Sequence, residues 1–204
     1  MFEKNRVEAF SDGVFAVAIT LLVLDLRLPA GSGSLAARLV HLWPNYAAYA
    51  VSFLVIGIIW INHHDTLKRF RDADRRLLFL NLLLLMSVAA IPFPTSVLAE
   101  YLRSGSDSHT AAVAYGLTMT TMGVFFTALW AYVAVHPALL EEGHDAAYAW
   151  GRTRRSAIGP VVYAGAALVG LASAPASLAL FAAVALYFAL SQSAGPPDRG
   201  ELQR

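Results

Sequence analysis

The start of the chain decides the fold: residues 6–24 read RVEAFSDGVFAVAITLLVL and are followed by a polar, proline-containing segment. The uninterrupted apolar part, residues 13–24, would be about 18 Å long as a helix, whereas the hydrocarbon core of a bilayer is about 30 Å thick. A spanning helix must therefore cover about residues 8–28, which draws Ser11 and Asp12 below the lipid surface. Because an ionised carboxylate costs at least about 3 kcal/mol there, Asp12 is predicted to face protein or water rather than lipid.

The composition is that of a polytopic membrane protein. Of the 204 residues 57% are hydrophobic and 14% are charged, and the mean hydropathy is +0.55. By these values the chain is far more apolar than a soluble domain of this size. The chain has no cysteine, which excludes disulfides, thiolate metal sites and cysteine nucleophiles. No small-residue cleavage site follows the first apolar run, so this segment is expected to stay as a helix.

The chain is predicted to be all-α, with six transmembrane helices in one membrane domain, residues 1–193, and a short disordered cytoplasmic tail, residues 194–204. The last two helices are short, rich in alanine and glycine, and joined at Pro175. They are read as a tight hairpin, with one broken helix as the alternative. The predicted spans are residues 8–28, 45–66, 77–101, 111–136, 157–173 and 177–193.

Basic residues sort to one side of this topology. All of the 15 lysines and arginines fall on the side of the two chain ends except Arg27, Arg38 and Arg103. Cytoplasmic loops carry an excess of lysine and arginine. We therefore expect a multi-pass protein of the cell (plasma) membrane with both termini in the cytoplasm.

Polar residues of the first three helices share one depth. The first helix leaves the cytoplasm, the second returns and the third leaves again, so polar residues near their inner ends lie in one layer. A buried Asp12 in this layer would have its lone pairs satisfied by some of its neighbours. The alternative is that each of these polar residues is a helix cap or an interfacial residue. The residues of this predicted polar network are Arg6, Ser11, Asp12, Trp60, His63, His64 and Asn81.

Helical phase separates Asp12 from an apolar stripe on the first helix. At about 100° per residue from Val17, Leu21 lies at roughly +40° and Leu24 at roughly −20°, whereas Asp12 points to roughly −140°. If this stripe lined a pore, Asp12 would point back into its own subunit. Val23, at roughly −120°, would also face away from the stripe. The alternative for the stripe is ordinary packing against lipid or another helix.

The first helix resembles the signature of the transmembrane protein 175 family of potassium channels. The resemblance lies in Arg6-x-x-x-Phe10-Ser11-Asp12-Gly13 and the apolar run that follows it. Six spans in about 200 residues match the prokaryotic members of the family. The polar residues from Trp60 to His64, and Asn81, also stand where the family has polar residues in its second and third helices.

This resemblance implies a fourfold homotetramer in which the first helices surround the ion path. Family pore residues are bulky apolar side chains, which correspond here to Val17, Leu21 and Leu24, with Thr20 beside them. At Val17 the family often has Ile or Leu. Each subunit would therefore supply one methylene less, and the constriction would be wider at this ring. The motif residues, Arg6, Phe10, Ser11 and Asp12, would hold the pore helix by packing and hydrogen bonding. The chain has no Thr-Val-Gly-Tyr-Gly stretch, the filter of ordinary potassium channels.

The sequence is thus interpreted as a potassium-permeable cation channel with a hydrophobic constriction and modest selectivity for K⁺ over Na⁺. Its expected partners are copies of itself, the lipid bilayer and monovalent cations; no enzyme activity, cofactor, metal site or nucleic-acid partner is expected. One alternative is a secondary transporter or proton-coupled carrier that uses Asp12, His63 and His64. A membrane enzyme or haem protein is disfavoured, because adjacent histidines lie about 100° apart on a helix.

Overall fold

The protein is described by a computed structural model that covers residues 4–27, 34–102 and 106–192. All regular structure in these segments is helical, apart from an isolated antiparallel bridge between Phe70 and Leu140. This confirms the expectation of an all-α fold. The helices are α1 (Lys4–Leu21), α2 (Leu35–His41), α3 (Trp43–Lys68), α4 (Arg75–Ala90), α5 (Pro92–Tyr101), α6 (Ser106–Val135), α7 (Ala146–Gly170) and α8 (Ala174–Gln192).

Four helical stretches of the described residues are long and apolar enough to cross a membrane: Lys4–Asp25, Trp43–Lys68, Arg75–Tyr101 and Asp107–Val135. They correspond to the first four predicted spans. The helices α7 and α8 are not among these four stretches, and α7 carries Arg152, Arg154 and Arg155 in its first half. The crossing of the membrane by these last two helices therefore stays a prediction, as does the tail, because residues 193–204 lie outside the described residues.

Two features of the chain differ from the predicted spans. The short helix α2 stands in the first linker, where no helix was expected; it begins at Ser34, whose side chain accepts from the Ala37 N–H. The third span is divided at Ile91 into α4 and α5. Pro92 has no N–H to donate to the α-helical ladder, so the hydrogen bonding is interrupted here although Ile91 keeps helical backbone angles, φ −55° and ψ −39°.

The core lies around α6. Its side chains Tyr115, Met119, Met122 and Trp130 are fully buried. Small residues let α7 approach α6 closely: a Cβ added at Gly116 would lie 2.5 Å from the Cβ of Ala167. The helix α1 instead packs against α3 and α4 and has fewer buried residues than the other apolar spans. It is thus attached to the rest of the chain along one side.

Candidate functional site

The helix α1 has two opposite faces. Its buried residues are Ser11, Phe15 and Ala18, followed by Leu22 in the next turn, and the spacing of four, three and four residues marks one side of a helix. On the opposite side the exposed fractions are 58% for Val17, 42% for Leu21 and 53% for Leu24. The predicted apolar stripe is therefore uncovered by the protein's own chain.

The end of α1 tightens into a 3-10 turn, Leu22–Asp25. Such a turn advances about 120° per residue, so that residues three apart eclipse each other. Leu24 consequently lies directly beyond Leu21. The expectation for Val23 assumed an uninterrupted α-helix; the turn brings Val23, which is 50% exposed, about 40° nearer to the stripe. That Val23 faces away from the stripe stays a prediction.

Thr20 lies on the border of the same exposed face. Its hydroxyl donates to the carbonyl oxygens of Ala16 and Val17, at 2.8 and 2.9 Å. The single hydroxyl proton is therefore committed to the backbone of α1. The oxygen keeps its lone pairs, so on this face Thr20 can act as an acceptor or as a ligand of a cation.

Three polar contacts join the inner half of α1 to α3. The Trp60 indole N–H donates to Asp12 Oδ1 over 2.8 Å, His64 Nδ1 lies 2.7 Å from Glu8 Oε1, and Lys4 Nζ donates to the Lys68 carbonyl over 3.0 Å. From one pair to the next, the residue number rises by four on α1 and falls by four on α3. Four residues are about one helical turn, so the pairs follow each other along two antiparallel helices. We call these three pairs, Lys4–Lys68, Glu8–His64 and Asp12–Trp60, the polar ladder.

A second, fully buried chain of hydrogen bonds lies beside the polar ladder. His63 Nε2 is 2.7 Å from Asn81 Oδ1, and the Asn81 amide donates to Ser11 Oγ over 3.1 Å. Ser11 in turn donates to the Val7 carbonyl over 2.8 Å. Because an amide oxygen can only accept, Nε2 of His63 carries the proton. The chain ties α3 and α4 to the buried face of α1.

The predicted polar residues thus divide between two sets of contacts. Asp12 binds Trp60, whereas His63 and Asn81 hold Ser11 and His64 faces Glu8. Sequence reasoning missed Lys4 and Glu8, although Lys4, Glu8 and Asp12 follow at intervals of four, as do Trp60, His64 and Lys68. That matching period was the signal available.

Arg6 and Phe10 lie outside these contacts. Both are exposed, and they precede Val17 by 11 and seven residues, which places them on about the same side of the helix as the stripe. Within the described segments, no hydrogen bond or ion pair is formed by Arg6. Their predicted role in the polar network is therefore not supported by a contact within one chain.

The inner end of α1 is also fixed to two loops. Lys4 Nζ lies 3.2 Å from Glu141 Oε1, and the Glu141 N–H donates to the Arg69 carbonyl over 2.9 Å. The Arg71 N–H donates to the Leu139 carbonyl over 2.8 Å. The loop between α3 and α4 is thus joined to the loop between α6 and α7, and Lys4 contacts the second loop at Glu141 and the end of α3 at Lys68.

Asp74 caps the first turn of α4 beside these loops. Its carboxylate accepts from the Leu77 N–H over 2.8 Å and from the Tyr132 hydroxyl over 2.5 Å. Desolvation would raise the pKa of Asp74, but these hydrogen bonds, with one from the Arg76 N–H, outweigh it and hold the pKa below its usual value. Asp74 is therefore anionic at neutral pH.

A further buried polar cluster was not predicted. Ser52 Oγ lies 2.8 Å from Thr95 Oγ1 and 2.9 Å from the Tyr115 hydroxyl, and Thr95 donates to the Ile91 carbonyl. It joins α3, α5 and α6 at the break before Pro92, which has no N–H of its own.

Among the described residues no group of three or more His, Asp or Glu side chains is placed to hold a metal ion.

Comparison with known proteins gives consistent matches. The family model of the endosomal/lysosomal potassium channel TMEM175 matches residues 6–92. A potassium channel of Streptomyces collinus is 48% identical over 194 residues, which are 94% of each chain. The human endosomal/lysosomal proton channel TMEM175 is 33% identical over 145 residues, 66% of this chain and 29% of the human one.

A solved structure shares the fold. The crystal structure of a lysosomal potassium-selective channel TMEM175 homolog from Chamaesiphon minutus is 35% identical, with a TM-score of 0.83 over 92% of this chain and 97% of that one. The described helices therefore adopt the architecture of a membrane ion channel and not of an enzyme. Taken with the sequence relatives, this match shows that the chain belongs to the TMEM175 family.

Proposed function

We propose that this protein is a potassium-permeable cation channel of the cell membrane, in which four copies of α1 surround the ion path. One observation carries the proposal: the apolar stripe of Val17, Leu21 and Leu24 is exposed, while the polar side chains on the opposite face of α1 are bound to α3 and α4 of their own chain. The potassium channels among its relatives support K⁺ as the permeant ion.

The exposed face of α1 and the resemblance to the family support a tetramer. A single exposed helix face cannot enclose water, and soluble and membrane oligomers most often close by cyclic symmetry. The polar ladder supports the same arrangement, because it holds α1 from the side opposite to the stripe. The distribution of lysine and arginine supports a cytoplasmic position for both termini.

The constriction is formed by rings of apolar side chains. In a tetramer the four copies of Val17, of Leu21 and of Leu24 would form three rings of four side chains. The rings would be spaced along the axis by about 1.5 Å for each residue between them. Such rings conduct only when they are wetted, and they offer few groups to replace the hydration shell of an ion. Thr20 adds an oxygen beside them. Selectivity for K⁺ over Na⁺ is therefore expected to be modest.

The decisive experiment is single-channel recording of the purified protein in bilayers with K⁺ and Na⁺ on opposite sides. Unitary currents whose reversal potential is shifted from zero toward the equilibrium potential of K⁺ support the proposal. Saturable flux coupled to a gradient, without unitary currents, would favour the carrier. Because the human relative is named a proton channel, a pH-sensitive dye inside liposomes should be read in parallel.

The tetramer is tested separately by native mass spectrometry in mild detergent. A dominant mass of four chains is expected. A monomer as the sole species would contradict both the tetramer and the central pore.

A further inference from the structure

A groove on the outside of α4 combines two free arginines with an apolar wall. Its volume is about 730 Å³, and it lies between α4 and Tyr132 of α6. Arg75 and Arg76 stand at one end of it, and both are exposed. The other lining residues are Leu78, Phe79, Leu80 and Leu82.

The arginines are free to bind an anion. Within the described segments neither guanidinium forms an ion pair. The carboxylate beside the groove, that of Asp74, is already bound to the Tyr132 hydroxyl and the Leu77 N–H. A guanidinium binds phosphate oxygens in a bidentate manner, and phosphate is therefore the group that best fits this end of the groove.

The apolar wall continues from the arginines along one face of α4. Arg75, Phe79, Leu82 and Met86 follow at intervals of four, three and four residues, and all four are exposed. From Arg75 to Met86 the helix rises about 16 Å at about 1.5 Å per residue. That is roughly half of a hydrocarbon core of about 30 Å, which is the depth of one leaflet.

By length and hydropathy, the start of α4 is expected at the edge of the membrane. The apolar stretch Arg75–Tyr101 begins at Arg75, so the guanidiniums lie at the level of the headgroups and Phe79 and Leu82 lie at the level of the acyl chains. In a contact with another protein subunit the two arginines would lose water and need acidic partners. A lipid phosphate supplies such a partner at this depth.

We propose that the groove of Arg75, Arg76, Phe79 and Leu82 binds an anionic phospholipid, with the phosphate on the arginines and an acyl chain along α4. The lipid would hold α4 and α6 together at their inner ends. The binding is independent of ion conduction, because no residue of α1 lines the groove.

The test compares phosphatidylglycerol with phosphatidylcholine of the same acyl chains, titrated onto the delipidated tetramer and counted by native mass spectrometry. The wild type should retain phosphatidylglycerol preferentially. Each arginine removed should weaken this binding about fivefold, so Arg75→Gln with Arg76→Gln should lower it about 25-fold.

A matched control is available on α7. Arg154 and Arg155 are also adjacent and exposed, but they do not line the groove of α4, so Arg154→Gln with Arg155→Gln should leave the tight phosphatidylglycerol site unchanged. Phe79→Ala with Leu82→Ala should weaken binding while both arginines remain.

A photoactivatable phosphatidylglycerol on the wild type needs no variant. Crosslinks within residues 75–86 support the site, and crosslinks only elsewhere overturn it. Equal phosphatidylglycerol binding by the two arginine-pair variants would also overturn it. So would dissociation of the tetramer by the Arg75 and Arg76 changes, which would show that the groove is a contact between copies of the chain.

Discussion

The Trp60 indole N–H donates to the Asp12 carboxylate over 2.8 Å, and this bond fixes the rotation of α1 about its own axis. It is one pair of the polar ladder. Rotating α1 by one residue, about 100°, would break the bond and turn the stripe of Val17 and Leu24 away from its present direction. The motif aspartate is thus a positioning residue for a surface on the opposite side of its helix.

Removal of the indole N–H should destabilise the protein without changing ion selectivity. Trp60→Phe keeps an aromatic ring and leaves the Asp12 carboxylate without this donor, which costs about 1–3 kcal/mol. Thermal unfolding in detergent and the tetramer fraction measure the loss. Trp43→Phe at the other end of α3, exposed to a similar degree, is the control. An altered K⁺ to Na⁺ permeability ratio with unchanged stability would show that Asp12 lines the pore.

A polar side chain at the outer end of the stripe should raise conduction. Leu24→Ser replaces one apolar ring by hydroxyls that wet more readily, so flux should increase and discrimination between K⁺ and Na⁺ should fall. Liposome flux at matched protein density is the measurement. Leu117→Ser on α6 is the control, because Leu117 is 56% exposed but lies on another helix. Equal effects of the two changes would remove α1 as the pore lining.

The contact between α6 and α7 should not tolerate a methyl group. A Cβ at Gly123 would lie 2.9 Å from the Cδ of Pro160, and one at Gly116 would lie 2.5 Å from the Cβ of Ala167. Gly116→Ala and Gly123→Ala should each cost about 1–3 kcal/mol of unfolding free energy through overpacking.

Gly159→Ala on α7 is the matched control for these changes. It has open space around the added Cβ and should be neutral or stabilising by up to about 1 kcal/mol, because alanine is the better helix former. A loss as large as that of Gly116→Ala would mean that the close α6–α7 contact does not set the cost of the added methyl group.

The stability contributed by Asp74 should depend on pH. Its folded-state pKa is lowered, so its contribution is present above the unfolded value of about 3.9 and is lost as the pH falls through the folded pKa. The gap in melting temperature between wild type and Asp74→Asn should therefore be full near pH 6 and shrink on acidification. Tyr132→Phe, which removes a donor to the carboxylate, should reduce the same pH dependence. A gap that is constant from pH 7 to pH 3 would contradict the assigned role.

Helix positions and the apolar stripe could be predicted from sequence because they depend on hydrophobic period alone. The hydrogen-bond partners of the polar residues in the shared layer could not be predicted from the sequence. His63 and His64 stand about 100° apart on α3, so one carboxylate cannot receive both: His64 faces Glu8 while His63 points to Asn81. Which acid pairs with which base is decided by the rotation of each helix, and hydropathy does not report rotation.

Local backbone changes were also beyond the sequence argument. The phase of Val23 was calculated for a straight α-helix, whereas the chain tightens at Leu22. Pro92 was a visible signal for the break between α4 and α5, but an apolar run on both sides of it reads as one span. The arrangement of Ser52, Thr95 and Tyr115 depends on three distant segments, so no local pattern indicates it.

In mechanical terms α1 is a rod whose polar contacts are concentrated at one end, whereas its other end is held by apolar packing around the buried Leu22. Its inner half is fixed by the polar ladder, by Asn81 on Ser11 and by Glu141 on Lys4, whereas the Asp25 carbonyl at its outer end accepts only a long 3.4 Å bond from Asn45. A tilt that pivots at Ser11 would displace Leu24, about 20 Å along the rod, roughly twice as far as Val17, about 9 Å along it. In the proposed tetramer the Leu24 ring would therefore move the most, and the Val17 ring, nearest the pivot, would change its width the least.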